Sequence, residues 1–283
     1  MLVAVLGTGK MGTAVARRLD EVGHGLRLWN RTRGRAEVVG AGTVCESPAQ
    51  AAAGSDVVLS SLMGPEAVED VYLGPEGALE AASTQVYADL STIGPQASLA
   101  MAQAACDKGV SFLDAPVLGN LEAARSGRLV VLVGGKASDI EKARPVLASI
   151  GEVRVVGEAG SASRLKLIAN TELALVNLVA AELLAAGTKI GLDSDAVWSV
   201  LTRLVPYLDS RRSGFLQEVY EPATFTLRDM LKDLGLALAA YDERGCDVPM
   251  TSLAAELYEH AAIHHADDDL SAVAALWRGG QPS

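Results

Sequence analysis

The sequence predicts an α/β domain built on a mainly parallel sheet, followed by an all-α C-terminal domain. Up to about residue 160, short β-rich runs alternate with helical patterns, which is typical of βαβ units. A glycine-rich turn follows the first apolar run, and no convincing strand appears after Gly160. We therefore place one domain over residues 1–160 and a second over residues 161–283.

Seven runs in the N-terminal half are candidate strands. They are Leu2–Leu6, Leu26–Trp29, Asp56–Leu62, Gln85–Leu90, Ser111–Asp114, Leu129–Val133 and Val153–Val156. Amphipathic segments between most of them predict helices at 10–22, 65–81, 95–108 and 137–149. The connection between the fifth and sixth runs is short for a parallel crossover, so the parallel arrangement is weakest there.

The C-terminal half predicts helices only. One long helix is expected from Ser161 to about Gly187, roughly 40 Å at 1.5 Å per residue. Ser161 or Ser163 would be its N-cap. Further helical patterns lie at 194–204, 225–244, 250–265 and 269–278.

Composition and charge disfavour several classes of protein. Acidic residues outnumber basic ones by 35 to 24, for a net charge of −11, whereas phosphate contacts with nucleic acid need clustered Lys and Arg. The three cysteines, Cys45, Cys106 and Cys246, form no CxxC pair, which disfavours disulfides and structural zinc. We expect a cytoplasmic protein with a small-molecule substrate, no metal ion, no nucleic-acid partner and no membrane span.

The segment GTGKMG at residues 7–12 is the first motif that carries chemistry. It follows an apolar strand and opens a helix, which is the context that a dinucleotide-binding GxGxxG motif requires. The first glycine permits the tight turn, the second admits the pyrophosphate, and the third lets helix and strand pack closely. The N–H groups at the helix start bind the phosphates; a glycine turn without a ligand is the alternative. The residues assigned to the cofactor here are Gly7, Gly9, Lys10, Met11 and Gly12.

Asn30, Arg31 and Thr32 follow the second predicted strand and predict the choice of cofactor. An NAD site usually has Asp or Glu near this position, on the ribose hydroxyls. A carboxylate would repel a 2′-phosphate, whereas Asn and Thr can donate to it and Arg can clamp it. The segment therefore favours NADP(H), with a solvated basic loop or dual cofactor use as the alternatives.

Residues at two further strand ends are candidates for the same site, because ligands of doubly wound sheets bind outside the carboxyl ends of the strands. We assign Leu62, Met63 and Thr92 to the cofactor and Ser91 to the substrate. Capping of the helix after Pro95 explains Ser91 and Thr92 equally well.

The loop after the fifth predicted strand is a substrate candidate. Pro116 and Gly119 shape it, and its backbone N–H groups can face a ligand. A plain turn is the alternative. The substrate assignments in this loop are Leu118, Gly119 and Asn120.

Lys166 and Asn170 are four residues apart on the predicted long helix, so both lie on one face. Lys166 stands among apolar residues near the domain junction, where a lysine is either held in a cleft or extends to solvent. Lys232, on a later predicted helix, allows the same two interpretations.

Together these segments resemble the β-hydroxyacid dehydrogenase family, which contains 3-hydroxyisobutyrate dehydrogenase and is related to 6-phosphogluconate dehydrogenase. The resemblance spans nearly the whole chain, in order. It rests on GTGKMG at 7–12, NRT at 30–32, DLSTIGP at 89–95, DAPV-x-G at 114–119, G-x5-K-x3-N at 160–170 and F-x6-KDLGLA at 225–237.

The resemblance implies a Rossmann domain and an all-helical domain that forms much of a dimer interface. It implies that Lys166 is the catalytic acid/base, that Asn170 is its companion, and that Lys232 lies beside the cofactor. The loop at 118–120 would hold the substrate carboxylate. We therefore expect an NADP-dependent dehydrogenase or reductase of a β-hydroxy acid or semialdehyde, assembled as a homodimer or homotetramer.

Three departures from the family pattern keep alternatives open. Near the C-terminus, the segment 264–269, with two His and three Asp residues, stands where the family usually has a Gly-containing segment. Such residues could bind a metal ion, but we interpret the segment as a surface helix end. The family loop usually has Ser-Gly-Gly where this chain has Leu118, Gly119 and Asn120, and the family often has two Asn residues where this chain has Ala169 and Asn170. The loss of a hydroxyl at Leu118 mildly favours an imine reductase-like NADPH enzyme, although such enzymes usually lack the lysine. A non-catalytic NADP-binding protein is the third interpretation.

Overall fold

The computed structural model describes residues 1–81 and 86–278. The chain divides into two compact units that meet in sequence between Lys166 and Leu167. Within the described residues, the first unit holds a nine-stranded sheet with helices, and the second is helical. The predicted fold class, an α/β Rossmann domain followed by an all-α part, is confirmed.

The strands of the sheet are numbered in chain order. They are β1 (Leu2–Leu6), β2 (Gly25–Trp29), β3 (Thr43–Val44), β4 (Val57–Ser60), β5 (Val86–Asp89), β6 (Ser111–Asp114), β7 (Val117–Leu118), β8 (Leu129–Gly134) and β9 (Gly151–Gly157).

Six strands form a parallel array in the order β3-β2-β1-β4-β5-β6. This is the strand order of a doubly wound dinucleotide-binding sheet. Every residue of β4 and β5 is buried, as expected for central strands covered on both faces. The array therefore brings the carboxyl ends of β2, β1, β4, β5 and β6 to one edge.

The sheet changes direction after β6. Strand β8 pairs antiparallel with β6, β7 pairs antiparallel with β8, and β9 runs parallel to β8. The short connection from Ser111–Asp114 to Leu129–Val133 was the weakest link of the parallel prediction, and here the chain indeed leaves the parallel array. The connection contains only β7 and the five-residue helix α6, and neither carries the chain back across the sheet as a crossover helix of a parallel pair does.

The helices of the first unit cover the sheet. They are α1 (Lys10–Glu21), α2 (Arg33–Glu37), α3 (Pro48–Ala52), α4 (Pro65–Leu73), α5 (Gly94–Asp107), α6 (Leu121–Arg125) and α7 (Ala137–Ile150), with a 3₁₀ helix at Ala78–Ala81. Helix α1 buries Ala14, Val15 and Leu19 in the same core as Val3 and Val5 of β1.

The second unit contains the remaining helices. They are α8 (Ser161–Lys189, which begins in the first unit), α9 (Ser194–Leu204), α10 (Arg212–Gln217), α11 (Leu227–Asp242) and α12 (Pro249–His265), with 3₁₀ helices at Pro206–Arg211 and Leu270–Trp277. Trp198, Phe215 and Tyr258 are fully buried in the core of this unit.

Helix α8 is long and apolar enough to cross a membrane by length and composition. Half of its most apolar window is buried inside the structure, and its residues Ala174, Ala181 and Leu184 belong to the helical core. The central helix of a helical core passes the same length and hydropathy test, and we describe α8 as such a helix.

Several local predictions differ from the structure. The predicted helix 65–81 is divided into α4 and the 3₁₀ helix at Ala78–Ala81, and the short helices α2, α3, α6 and α10 were not predicted. The two-residue strands β3 and β7 were missed. The segment 269–278 forms a 3₁₀ helix rather than an α-helix. Ser161 is the first residue of α8, so it does not stand before the helix as a cap, and the N–H of Ser163 is instead held by the distant Asp114.

The predicted strand Gln85–Leu90 begins outside the described residues, and the structure shows it from Val86. The three cysteines are free: Cys45 is buried, whereas Cys106 at the end of α5 and Cys246 after α11 are exposed.

Candidate active site

The predicted site residues of the first unit collect at the carboxyl edge of the parallel sheet. Gly7 directly follows β1, Asn30 follows β2, and Ser61 follows β4. The segments after β5 and β6 supply Ser91 and the loop at 115–120. Because these five strands are neighbours, their following residues share one edge, and this is the edge at which doubly wound sheets bind ligands.

The glycine-rich loop between β1 and α1 has the geometry of a phosphate cradle. Gly7 has φ of +90°, and a Cβ there would lie 2.4 Å from the carbonyl oxygen of Ser61. A Cβ on Gly12 would lie 2.0 Å from the carbonyl oxygen of Gly7. A Cβ on Gly9 would meet no atom within 4 Å. Two glycines are therefore required by packing, while the third leaves open space where a pyrophosphate would approach.

Asn30 ties the cradle to the end of β2. Its Oδ1 accepts a hydrogen bond from the N–H of Thr8 at 3.0 Å, and its Nδ2 donates to the carbonyl oxygen of Thr32 at 3.0 Å. Both the carbonyl oxygen and the amide nitrogen of the Asn30 side chain thus form hydrogen bonds with nearby backbone groups. The structure gives Asn30 a role in holding the glycine loop, which the sequence reasoning did not anticipate.

The basic residues after β2 have different surroundings. Arg33 forms ion pairs with Glu37 at 2.9 Å and Glu46 at 2.6 Å. Arg31 and Thr32 are exposed at the same strand end. Since two carboxylates already neutralise Arg33, Arg31 is the better placed of the two arginines to bind an added anion.

A buried polar cluster lies under the loops after β4 and β5. Asp89 Oδ1 accepts from the hydroxyls of Ser60 and Ser91, both at 2.6 Å, and from the N–H of Ser91 at 3.2 Å. Ser91 Oγ in turn accepts from the N–H of Leu62 at 2.8 Å. The cluster therefore fixes the backbone of both loops that carry Leu62, Met63, Ser91 and Thr92.

Burial dominates the electrostatics of this cluster. It raises the pKa of the Asp89 carboxyl, while the hydroxyls of Ser60 and Ser91 oppose the shift. Tyr72, whose hydroxyl lies 2.7 Å from Ser60 Oγ, also has a raised pKa because it is buried. Ser91 is thus occupied twice, as a donor to Asp89 and as an acceptor from Leu62, and it is only 6% exposed.

The loop after β6 carries the predicted substrate residues. Leu118 lies in β7 opposite Val130, and Gly119 has φ of +130°. Asn120 caps α6, because its Oδ1 accepts from the N–H of Ala123 at 2.9 Å. The carbonyl oxygen of this amide is therefore engaged, while Gly119 and Asn120 themselves are exposed.

Lys166 lies beside this loop. Its Nζ donates a hydrogen bond of 2.9 Å to the carbonyl oxygen of Val117, and its side chain is half-buried. The amine is consequently held at the carboxyl edge of the sheet, next to the segment that leads into Leu118.

Asn170, one helical turn after Lys166, belongs to a polar group in the second unit. Its Nδ2 donates to the carboxylate of Asp233, which is 2% exposed. Asp233 also forms an ion pair of 2.6 Å with the adjacent Lys232. The structure thus joins the predicted residues Asn170 and Lys232 through a carboxylate to which the sequence reasoning gave no role. Its position beside Lys232 was the only signal.

No group of His, Cys, Asp and Glu that could hold a metal ion occurs within 1–81 and 86–278. What the first unit offers is a cradle for a dinucleotide, an exposed arginine at the ribose end, and a fixed amine that can give or take a proton. Such a set suits hydride transfer assisted by an acid/base group.

Two family models cover almost the whole chain. The model described as the NAD-binding domain of 6-phosphogluconate dehydrogenase matches residues 2–160. The model described as NAD-binding of NADP-dependent 3-hydroxyisobutyrate dehydrogenase matches residues 160–277.

Individual proteins are similar over the same length. The 2-(hydroxymethyl)glutarate dehydrogenase of Eubacterium barkeri is 31% identical, over 97% of this chain and 94% of its own. The structure of Mycobacterium tuberculosis 3-hydroxyisobutyrate dehydrogenase with L-serine is 30% identical, with a TM-score of 0.83, and covers 98% of this chain and 99% of its own. That of Psf3 in complex with NADP+ and 2-OPP is 26% identical, with a TM-score of 0.87, and covers 97% and 99%.

Two further similarities bear on the alternative functions. The cytokine-like nuclear factor N-PAC of Xenopus tropicalis is 30% identical over 96% of this chain, which spans only 52% of that protein. The imine reductase of Myxococcus stipitatus in complex with NADP+ is 20% identical, with a TM-score of 0.65, and covers 99% and 100%. At that identity the second similarity concerns the fold alone.

Proposed function

The chain belongs to the β-hydroxyacid dehydrogenase family, and from that premise we propose that it is an NADP-dependent oxidoreductase of a small β-hydroxy acid or the matching semialdehyde. A nicotinamide-dependent hydroxyacid dehydrogenase follows from the family. The choice of NADP(H) and the class of substrate are the parts proposed here.

The observation that carries the proposal is the setting of Lys166. Its Nζ is bonded to the carbonyl oxygen of Val117 at 2.9 Å, in the segment that follows β6. The cradle of Gly7 and Gly12 follows β1 at the same edge of the same sheet. An amine with a fixed position at the ligand-binding edge is the group that an acid/base role requires.

The glycine cradle fits the dinucleotide, because Gly7 and Gly12 allow the tight turn and Gly9 leaves open space where the pyrophosphate would approach. When bound, NADP(H) supplies or accepts the hydride. The N–H groups at the start of α1 would hold its pyrophosphate. Arg31 and Thr32 would bind the 2′-phosphate, and the loops that carry Leu62, Met63 and Thr92 would border the ring end.

Lys166 would act on the substrate oxygen. Reduction of a carbonyl builds negative charge on that oxygen, and the ammonium of Lys166 would donate a proton as the charge develops. In the oxidation direction the neutral amine would take the proton of the hydroxyl group. Asn170, four residues later on α8, would orient Lys166 or the substrate by hydrogen bonds while Asp233 fixes its amide.

The decisive experiment is single-turnover oxidation of NADPH with short semialdehydes and cyclic imines, together with reduction of NADP+ by the matching hydroxy acids, and its repetition with the Lys166→Met variant. We expect the rate with a semialdehyde to fall roughly 10²-fold or more, the effect of losing a general acid, while NADPH affinity changes little. Lys189→Met is the matched control, because Lys189 is the last residue of the same helix and is exposed.

Other outcomes would select another function. Turnover of cyclic imines that survives Lys166→Met would favour an imine reductase, for which Leu118 in the substrate loop is the supporting observation. Tight NADPH binding without turnover of any substrate in the panel would favour a non-catalytic NADP-binding protein. Equal affinity for NADH and NADPH would contradict the proposed cofactor specificity.

We also propose that the chain forms a homodimer, alone or paired into a homotetramer. Large apolar side chains are exposed on the helices of the second unit, and exposed apolar patches commonly mark interfaces. They include Val179, Leu183, Val200, Leu204 and Met250. Light scattering at several concentrations tests this, and a monomer mass at every concentration would contradict it.

A further inference from the structure

Asp114 is a buried carboxylate to which the proposed reaction gives no role. It ends β6 and is 2% exposed. Its Oδ2 accepts a hydrogen bond of 2.8 Å from the N–H of Ser163. Burial raises the pKa of this carboxyl, and the N–H of Ser163 opposes the shift. A buried acid costs stability unless its contacts compensate, so its position calls for an explanation.

The contact with Ser163 holds the start of the helix that carries Lys166. Ser163 is the third residue of α8, and the first four N–H groups of a helix have no partner inside it. A carboxylate at this end also interacts favourably with the helix dipole. The acceptor comes from a strand 49 residues earlier in the chain, so this contact joins α8 to the sheet.

Lys166 makes a second contact of the same kind. Its Nζ reaches the carbonyl oxygen of Val117, three residues after Asp114, while Lys166 itself is three residues after Ser163. The two hydrogen bonds are therefore successive links between the same two segments, 114–117 and 163–166. If the first link is lost, the backbone that places the second is no longer fixed.

The neighbouring strand leaves room for this carboxylate. Gly134 of β8 lies opposite Asp114 in the sheet. A Cβ on Gly134 would lie 2.4 Å from Asp114 Oδ1. The same Cβ would lie 2.7 Å from the backbone oxygen of Glu158. The glycine therefore makes room both for the carboxylate and for the chain that leads into α8.

We propose that Asp114 is a positioning residue: by accepting the hydrogen bond of the Ser163 N–H, it fixes the first turn of α8 and so holds the amine of Lys166 at the loop after β6. The catalytic part of this inference rests on the proposed function, and the structural part does not. A displacement of a reacting group by about 1 Å can reduce a rate by about 10²-fold. Loss of the link is therefore expected to change turnover more than binding.

Three variants separate positioning from stability. Asp114→Ala removes the acceptor, and Asp114→Asn keeps an oxygen at the same place without the charge. Asp139→Ala is the matched control, because Asp139 is also buried, lies in the first turn of α7 and contacts Lys142. We expect Asp114→Ala to lower kcat by about 10- to 100-fold with little change in NADPH affinity. Asp114→Asn should restore most of this loss, and Asp139→Ala should keep the wild-type kcat.

Two measurements without turnover test the structural part. Hydrogen exchange of the peptide that covers residues 161–166 should be faster in Asp114→Ala than in wild type and Asp114→Asn. Acetylation of the Lys166 amine, measured by mass spectrometry against Lys189 as the internal reference, should also be faster in Asp114→Ala.

Several results would overturn the proposal. Unchanged exchange and unchanged acetylation in Asp114→Ala would show that Asp114 does not hold α8. Equal loss of kcat in Asp114→Ala and Asp139→Ala would indicate general destabilisation, and equal loss in Asp114→Asn would exclude the hydrogen bond as the cause. If Lys166→Met keeps the wild-type rate, the proposed function fails, whereas exchange and acetylation still decide the role of Asp114.

Discussion

Two buried carboxylates of the first unit and one of the second are held by opposite kinds of partner. In the first unit, Asp89 and Asp114 accept hydrogen bonds from serine hydroxyls and backbone N–H groups, and burial raises the pKa of both. In the second unit, burial alone would raise the pKa of Asp269, but the guanidinium of Arg211 holds it below its ordinary value.

The difference follows from what each carboxylate holds. Asp89 lies at the end of β5 and holds the loop that carries Ser91, whereas Asp114 lies at the end of β6 and holds the start of α8. Asp269 receives Arg211 and caps the last 3₁₀ helix through the N–H of Ser271 at 3.1 Å. Neutral hydrogen-bond donors thus hold Asp89 and Asp114 at the ends of their strands, whereas an ion pair holds Asp269 in the core of the helical unit.

The largest effect is expected from Arg211→Met. This change leaves the carboxylate of Asp269 buried without its cation, which typically costs about 3–5 kcal/mol. Denaturant unfolding of the chain with Trp29 and Trp277 replaced by Phe, so that Trp198 is the remaining tryptophan, measures the free energy of unfolding of the second unit by fluorescence. A loss of unfolding free energy below about 1 kcal/mol, the value of an exposed ion pair, would show that the other hydrogen-bond donors of Asp269 compensate for Arg211. The contrast between Asp269 and the two carboxylates of the first unit would then be wrong.

A smaller effect, on cofactor binding rather than stability, is expected from Arg31→Ala in the first unit. We expect a loss of about 1.5–3 kcal/mol in NADPH affinity, the range of a hydrogen bond to a charged group, with little change for NADH. Titration calorimetry with both cofactors measures it. Arg33→Ala is the control, because Glu37 and Glu46 already neutralise Arg33. A larger loss of NADPH affinity in Arg33→Ala than in Arg31→Ala would assign the 2′-phosphate to Arg33 instead.

The pH dependence of stability should have opposite signs for Asp89 in the first unit and Asp269 in the second. The stability contributed by Asp89, whose pKa is raised, is present below its ordinary value of 3.8 and is lost as pH rises through the raised value. The stability contributed by Asp269 is present above 3.8 and is lost as pH falls through its lowered value.

Asp89→Asn and Asp269→Asn test these signs. The unfolding free energy of wild type minus that of Asp89→Asn should decrease as pH rises above 3.8, by at most about 1.4 kcal/mol per pH unit. The same difference for Asp269→Asn should decrease as pH falls below 3.8. If both differences in unfolding free energy changed with pH in the same direction, the contrast between Asp89 and Asp269 would be wrong.

The smallest effect is expected from Arg212→Met. Arg212 follows Arg211 in sequence and pairs with Asp195, but both side chains are exposed, at 44% and 67%. Exposed pairs contribute about 0–1 kcal/mol. Thermal unfolding of Arg212→Met and Arg211→Met under the same conditions compares an exposed ion pair with a buried one. A much larger loss of stability in Arg211→Met would show that burial, and not the presence of an ion pair, produces the large effect.

Local patterns in the sequence predicted most of the fold. Alternating strand and helix signals gave β1, β6 and α9 with the bounds observed, and the glycine motif gave the cradle. Strands β3 and β7 were missed because two residues are too short for an alternating pattern. The change of direction after β6 occurs where the sequence showed no crossover helix between two predicted strands.

Contacts between distant residues explain what the sequence could not predict in the site. The cap of α8 comes from Asp114, not from the local serines, and no local signal reports a partner 49 residues away. Asn30 matches the position of a ribose ligand, yet its side chain bonds Thr8 and Thr32. In the sequence, Asp233 is marked only by its position next to Lys232. Its burial and its contact with Asn170 depend on how α8 and α11 pack, which no local pattern predicts.

The distribution of the cysteines makes the chain suited to distance measurements in solution. Cys106 in the first unit and Cys246 in the second are exposed and free, whereas Cys45 is buried. Thiol-specific donor and acceptor dyes would therefore attach once to each unit without any added cysteine. Energy transfer between them would report the separation of the units before and after NADPH is added, and would do so without any knowledge of the substrate.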